Sequence, residues 1–393
     1  VASLSEPERA LSRGQAESPD IAASPSSIIP AVSEPTPPFI PGLELSALFY
    51  REAVRPLLDA RFPGLRHAAA RLGRGSDVLG FDTEMSMDHD WGPRLTLFLA
   101  EDDNAAHGDA ILRALGDELP LDVRGYSVGL DEAGAMRAAA ERPLRHGVEV
   151  TTVRAFLRDY LGVEDAAVPT LAEWLAIPAQ RMRTVAHGRV FHDEVGLEEI
   201  RGVLRWYPRD VWRYLLAAQW RRIAQEEAFV GRTGSVGDEL GSRVLGARLV
   251  GEMMTLAFLC EREHPPYSKW LGTAFSRLAC APRLAPALTA ALAADGWRER
   301  EERLSAGYVV CMEMQNALAL TPPVEPRVGA FHGRPFLVPH ADRFGEALEA
   351  AIESPEVRAL PRGVGAVWQF AHSTDVLDYI PRPGALAAVY TAG

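Results

Sequence analysis

After Pro41-Gly42, the positions Leu43, Leu45, Leu48, Phe49, Val54, Leu57 and Leu58 recur at helical spacing and predict a helix to about Ala60. Arg66 to Leu72 is a short apolar run that predicts a strand, although its alanines suit a last helical turn equally well. The apolar pattern resumes at Leu95, Leu97, Phe98 and Leu99 as a second strand, followed by a helix over Asp103 to Leu115 and a short strand over Val123 to Val128. His146 to Val153 is rich in β-branched residues and predicts a buried strand. From Arg154 onward the strand signals fade. Thr170 and Glu173 have the spacing of a capping box for a helix beginning near Leu171. Pro178, Pro208 and Pro265 then punctuate further helices, among them Arg209 to Val230, Gly237 to Glu261, Ser268 to Leu278 and Arg298 to Leu320.

This pattern divides the chain into three. Residues 1–38 carry closely spaced prolines and no aromatics, too little apolar surface to offset ordering entropy, and are expected to form a disordered tail. Residues 39–160 mix strands and helices, the pattern of an α/β (α+β) domain with a mixed sheet, and residues 161–393 read as an all-α second domain. A chain of 393 residues suits two domains of about 100–200 residues each. The absence of a run of about 18 apolar residues and of a charged-then-apolar leader predicts a soluble, unexported protein with no membrane partner.

Cys260, Cys280 and Cys311 all lie in helix-like segments and cannot pair completely, which fits buried thiols in a reducing cytoplasm. The net charge of −12 repels a phosphate backbone, so free nucleic acid is disfavoured as the main substrate unless a basic patch exists. A neutral or cationic small molecule is easier to accommodate. Of the 41 basic residues a single one is lysine, Lys269. Codon bias towards arginine is one account of this. The other is a position that needs a compact point charge where a planar guanidinium cannot serve.

The densest chemistry lies between Gly73 and Gly92. A Gly-Ser turn, Gly75-Ser76, follows the apolar run, and glycine lets a backbone approach a phosphate closely while the serine adds a hydroxyl donor. Eleven residues later come Asp88 and Asp90, separated by His89 and placed by the apolar pattern at the start of the second strand. Residues two apart on a strand share a face, so both carboxylates would meet one divalent cation. Paired carboxylates cost free energy until a cation neutralises them, and hard Mg²⁺ takes one or two carboxylates together with phosphate oxygens.

Apolar-Gly-x-Gly-Ser, eleven residues, then Asp-x-Asp resembles the signature of the polymerase-beta-like nucleotidyltransferase superfamily. The wider run, from Phe39-Ile40-Pro41-Gly42 through Asp88-His89-Asp90-Trp91-Gly92 to Phe331-His332, resembles a bacterial family of nucleotidyltransferase-like proteins classed as a domain of unknown function, over roughly residues 39–350. The resemblance implies a nucleotidyltransferase fold, two Mg²⁺ ions held by Asp88, Asp90 and a third acid, and an NTP donor whose triphosphate sits on Gly75 and Ser76. It makes Glu149, inside the third strand, the third acid. A lone exposed carboxylate on an edge strand is the other reading of that residue. Arg74, between Gly73 and Gly75, departs from the simplest superfamily pattern.

Three features of the helical half are candidates for the rest of a site. Gln225-Glu226-Glu227 ends a long helix before Gly231-Arg232-Thr233-Gly234, read as a turn, and acids there oppose the helix dipole. Either the cost is accepted in solvent, or Glu226 or Glu227 binds the acceptor or takes its proton. Asp238, Glu239 and Arg243 suggest an ion pair between Glu239 and Arg243. Pro266-Tyr267-Ser268-Lys269-Trp270 opens a helix with a cation beside its start, a sound anion site. It also resembles the helical-domain lysine of small-molecule nucleotidyltransferases. The expected reaction transfers a nucleoside monophosphate from an NTP to a hydroxyl of a small-molecule acceptor, with Glu149 or a helical-domain acid as base. A toxin-like modifier of protein or RNA and a non-catalytic nucleotide sensor are the rivals.

Overall fold

The computed structural model describes residues 37–88, 90–132, 134–137, 141–164, 168–379 and 381–390, apart from the side chain of Asp88. The predicted tail therefore lies almost wholly outside the described residues, as do His89 and the side chain of Asp88. The first helical pattern is realised as α1 (Gly42–Phe49), a π turn (Tyr50–Val54) and α2 (Arg55–Arg61). Strand β1 (His67–Arg71) follows, then β2 (Arg94–Leu99), α3 (Glu101–Glu118), a two-residue hairpin of β3 (Asp122–Val123) and β4 (Tyr126–Ser127), and β5 (Gly147–Thr152). The helical half opens with α4 (Val153–Leu161), α5 (Leu171–Ala176) and α6 (Ala179–His187). Thr170 and Glu173 do form the capping box on α5.

Three strands have no counterpart in the sequence reading, and all of them fall within residues 161–393, which are therefore not all-α. β6 (Arg189–Asp193) pairs antiparallel with β1 and completes a four-stranded sheet in the order β5-β2-β1-β6. β1 is antiparallel to β2, and β2 is parallel to β5, so the sheet is mixed. The arrangement is α/β with a large helical region. Strand alternation sends Ala69, Leu95, Leu97 and Leu99 to one face, where they pack with Phe49, Val54 and Leu58 of the N-terminal helices and with Ile111 and Leu115 of α3. Ala68, Ala70 and Phe98 face the other way, against Leu157 and Leu161 of α4 and Met182 and Val185 of α6. A strand buried on both faces reads as a continuous apolar run, which is why β1 carried no alternation.

The remaining chain is α7 (Leu197–Leu204), α8 (Arg209–Glu226), α9 (Phe229–Gly234), α10 (Glu239–Cys260), α11 (Ser268–Phe275), α12 (Ala281–Ala293), α13 (Trp297–Ala317), a hairpin of β7 (Gly329–Phe331) and β8 (Arg334–Val338), α14 (Asp342–Ala350) and short terminal helices. α8 packs between α10 and α14, and α13 lies against both α10 and α12. All three cysteines are buried free thiols. No described helix is long and apolar enough to cross a membrane.

Three local expectations are corrected. Asp88 and Asp90 do not start a strand: Asp88 ends a 3₁₀ turn (Glu84–Asp88), and Asp90 sits in a bend before β2 begins at Arg94. Gly231 to Gly234 is helix α9, its glycines serving close packing against Phe336 and Trp297. Glu239 pairs with Arg300 at 3.3 Å instead of with Arg243, while Asp238 caps α10 by accepting from Gly241 N.

Gly234→Ala drives a methyl into the Trp297 side chain and is expected to cost about 1–3 kcal/mol. Gly202→Ala, exposed in α7 with open space where the methyl goes, should stabilise by up to about 1 kcal/mol. Urea unfolding of the two variants checks the contrast.

Candidate active site

The turn after β1 is built on one ion pair. Arg71, at the end of the strand, donates from Nε to Asp77 Oδ2 at 2.8 Å and from Nη2 to Asp77 Oδ1 at 3.0 Å. The Asp77 side chain is fully buried, so the bidentate pairing supplies what water no longer can. Gly75 adopts φ 125° over this pair, and a Cβ there would strike Asp77 Oδ1 and lie 2.5 Å from Arg71 Nη2. Ser76 closes the turn with its carbonyl, which accepts from Leu79 N and Phe81 N.

Arg71 also donates to the Asp90 carbonyl at 3.3 Å, tying the second acidic segment to the same anchor. Asp90 has φ 51°, a conformation rare outside glycine and relatively tolerated by aspartate. Its side chain is exposed, with Oδ1 3.7 Å from Arg94. Asp82 secures the flank, accepting from Gly42 N at 2.7 Å and from buried Trp91 Nε1 at 2.9 Å.

β5 brings the third acid. Glu149 pairs in parallel register with Thr96 and so shares its face of the sheet, on an edge strand and exposed, rather than buried as the apolar run suggested. Asp90 and Glu149 line one cavity of about 240 Å³, together with Gly73, Arg74, Arg94, Thr96 and Tyr160. Burial first, and the Arg71 charge second, lower the Arg94 pKa from its ordinary value, opposed by Asp90, Asp77 and Glu149. Arg94 Nε is buried with no hydrogen-bond partner among the described residues.

Arg74, Glu149 and Tyr160 continue into a neighbouring cavity of about 420 Å³ that Arg181 and Asp378 close. There Arg74 donates to Asp378 Oδ2 at 2.9 Å and Arg181 to Asp378 Oδ1 at 3.3 Å. Arg181 itself is held by the Tyr160 carbonyl at 2.6 Å. Asp378 is thus a carboxylate bridging two arginines beside the Gly-Ser turn.

The helical-half candidates fall elsewhere. Lys269 is exposed, its Nζ 4.9 Å from the Trp270 ring centroid, and it does not line these cavities. Its neighbours Tyr267 and Ser268 line a different cavity of about 410 Å³, with Gln219, Arg222, Arg248 and Glu252. Glu226 pairs at 2.7 Å with Arg248, which lines that cavity. Glu227 is buried and accepts from Ala341 N at 2.9 Å, at the start of α14. Neither glutamate joins Asp90 and Glu149. Arg71 and Asp77 flank the Gly-Ser turn in sequence and were open to recognition as a pair, whereas nothing local links Asp378 to Arg74.

A family model described as Domain of unknown function (DUF4037) matches residues 174–271, from within α5 to within α11. That stretch includes neither the Gly-Ser turn nor Asp90 nor Glu149. Among solved structures, the chain is similar to a nucleotidyltransferase-like protein from Exiguobacterium sibiricum 255-15, at 12% identity, covering 72% of this chain and 82% of that one, with a TM-score of 0.28. Similarity at that level does not establish a shared fold. No curated protein matches the chain.

Arg71→Met leaves the Asp77 carboxylate buried without its counter-ion and should cost about 3–5 kcal/mol in denaturant unfolding; a loss under about 1 kcal/mol would contradict the anchor role. Glu227 supplies a pH test, because burial pushes its carboxyl up from 4.5 to about 7. Its folded pKa lies above the unfolded one, so its stability contribution is complete below pH 4.5 and is lost as pH rises through 7. Wild-type stability relative to Glu227→Gln should therefore fall across that window and level off above it, measured by urea unfolding at stepped pH.

Proposed function

We propose that the chain is a Mg²⁺-dependent nucleotidyltransferase that moves a nucleoside monophosphate from an NTP to a hydroxyl of a small-molecule acceptor. The observation that carries this reading is the convergence of Asp90 and Glu149, from segments far apart in sequence, on one cavity bordered by Gly73 and Arg74 at the start of the Gly-Ser turn, whose Gly75 and Ser76 do not line it. Both are exposed carboxylates, and such hard oxygen donors fit Mg²⁺. Asp88, two residues before Asp90, belongs to the same proposed ligand set. When bound, the metal supplies charge neutralisation at the attacking and leaving oxygens.

The chain's own residues do the rest. Arg94, with an orphaned Nε, and Arg74 with Arg181 offer cationic donors for phosphate oxygens, and Gly73 leaves the cavity wall beside them free of a side chain. Asp378 lies on Arg74 and Arg181 as a phosphate would, in an exposed pair with Arg74 that contributes only about 0–1 kcal/mol and yields readily to a ligand. Glu149 is the candidate base, being the carboxylate that lines both cavities. Lys269 is the weaker phosphate candidate, since the cavity lining does not include it.

Calorimetric titration of each NTP with and without Mg²⁺ tests the reading. At least one NTP should bind about tenfold or more tighter with Mg²⁺, and Asp90→Asn and Glu149→Gln should each abolish that difference while keeping the fold. Absence of NTP binding, or an unchanged Mg²⁺ effect in both variants, sinks it. Lys269→Met should leave NTP affinity within about twofold, whereas a charge-assisted phosphate contact at Arg181 is of order 1.5–3 kcal/mol, so Arg181→Met should weaken it by about one to two decades.

A further inference from the structure

At the far end of β1 from Arg71, about 13 Å along the strand, stands a second cluster that the proposed reaction does not use. His67 opens β1 and is buried, and its backbone carbonyl accepts from Glu194 N, just beyond β6, at 3.0 Å. His192 lies opposite Ala69 in the β1–β6 ladder, two residues along from Glu194. Strand alternation therefore puts His67, His192 and Glu194 on one face. One ligand atom from each lies within 4.8 Å of the others.

Two details prepare this group for a metal. His67 Nδ1 is 3.1 Å from the Leu65 carbonyl and donates to it, which makes Nε2 the acceptor atom; it takes the Tyr50 hydroxyl at 2.9 Å, and a metal binding there displaces that hydroxyl. A backbone carbonyl fixing the tautomer and orientation in this way is the usual outer support of a metal-binding histidine. Glu194 is steadied from behind, because its neighbour Asp193 accepts backbone hydrogen bonds from residues Val195 to Glu198 and pins the turn into α7.

The other groups facing the cluster are Tyr50, whose hydroxyl is 2.9 Å from His67 Nε2, and Arg55, 3.3 Å from His192 Nδ1. Glu194 Oε2 is itself 3.0 Å from His192 Nε2. Arg55 is half exposed and has Asp59 at 3.5 Å to receive it, so it withdraws from an incoming cation at little cost. Arg66 is committed to the Glu194 carbonyl at 2.6 Å.

We propose that His67, His192 and Glu194 form a site for a divalent transition metal of the Zn²⁺ type, with water at the fourth position, separate from the Asp90–Glu149 cavity. Two imidazoles and one carboxylate select Zn²⁺, Co²⁺ or Ni²⁺ over Mg²⁺. Tetrahedral ligation needs donor atoms about 3.3 Å apart, so the cluster closes by about 1.5 Å, chiefly through Glu194, whose side chain is 45% exposed. The bound ion would clamp edge strand β6 to β1.

The test is competition of the untagged full chain with a chromophoric chelator for Zn²⁺, together with the visible absorption of its Co²⁺ form. One equivalent should bind, with a tetrahedral Co²⁺ spectrum. His192→Gln and Glu194→Gln should weaken Zn²⁺ by about 100-fold and about tenfold or more respectively, while circular dichroism and metal-free melting stay close to wild type. Asp90→Asn and Glu149→Gln should bind Zn²⁺ normally, which separates this site from the proposed Mg²⁺ site. Absence of Zn²⁺ binding, an octahedral Co²⁺ spectrum, or wild-type affinity in His192→Gln would overturn the assignment.

Discussion

The Arg71–Asp77 ion pair is the constraint on which the candidate site rests. Asp77 is wholly buried, and removing its partner strands a charge where water cannot reach it. The pair joins the end of β1 to the Gly-Ser turn through Asp77 and to the second acidic segment through the Asp90 carbonyl. Its bulk also dictates neighbouring residues. Gly75 is small because the pair lies beneath it, and Gly42 at the start of α1 packs where a Cβ would come within 2.5 Å of Asp77 Cβ. One carboxylate thereby positions the N-terminal helix, the Gly-Ser turn and the proposed metal segment together.

Much of the scaffold was legible from the chain, and the failures have physical causes. β1 and β2 were visible because central strands are apolar on both faces, and the edge strand β5 because it is rich in β-branched residues. β6 was not, because an edge strand of Arg189, Val190, Phe191, His192 and Asp193 needs only partial burial and supplies too few apolar positions to show a period. Gly231 and Gly234 looked like turn residues, yet they are small because Phe336 and Trp297 pack on the helix at those points. Periodicity cannot distinguish a glycine required by conformation from one required by a neighbour.

The acids show the same division. Asp90, singled out by the paired-aspartate spacing, and Glu149, singled out by the resemblance, do share a cavity, but not through the mechanism assumed for the Asp-x-Asp motif. The chain bends at Asp90 and Gly92, both with positive φ, so strand alternation does not act there. Glu227, chosen for its unfavourable position at a helix end, is accounted for by a hydrogen bond to Ala341 N 114 residues away. Asp378 is likewise brought to Arg74 across 304 residues, a relation that only the folded chain reveals.

The charge balance of the cavity bears on the proposed polyphosphate. Arg71, Arg74 and Arg94 face Asp90 and Glu149 across a small volume, and a metal ion added alone would oppose those arginines. A metal arriving with phosphates satisfies both signs. The most direct test is a crystal structure with Mg²⁺ and a non-hydrolysable NTP. The account predicts a triphosphate along the Gly73–Ser76 turn, metal ligated by Asp90 and Glu149, and Asp378 displaced from Arg74. Nucleotide bound instead in the helical cavity lined by Gln219, Arg222 and Tyr267, or bound nowhere, would contradict it.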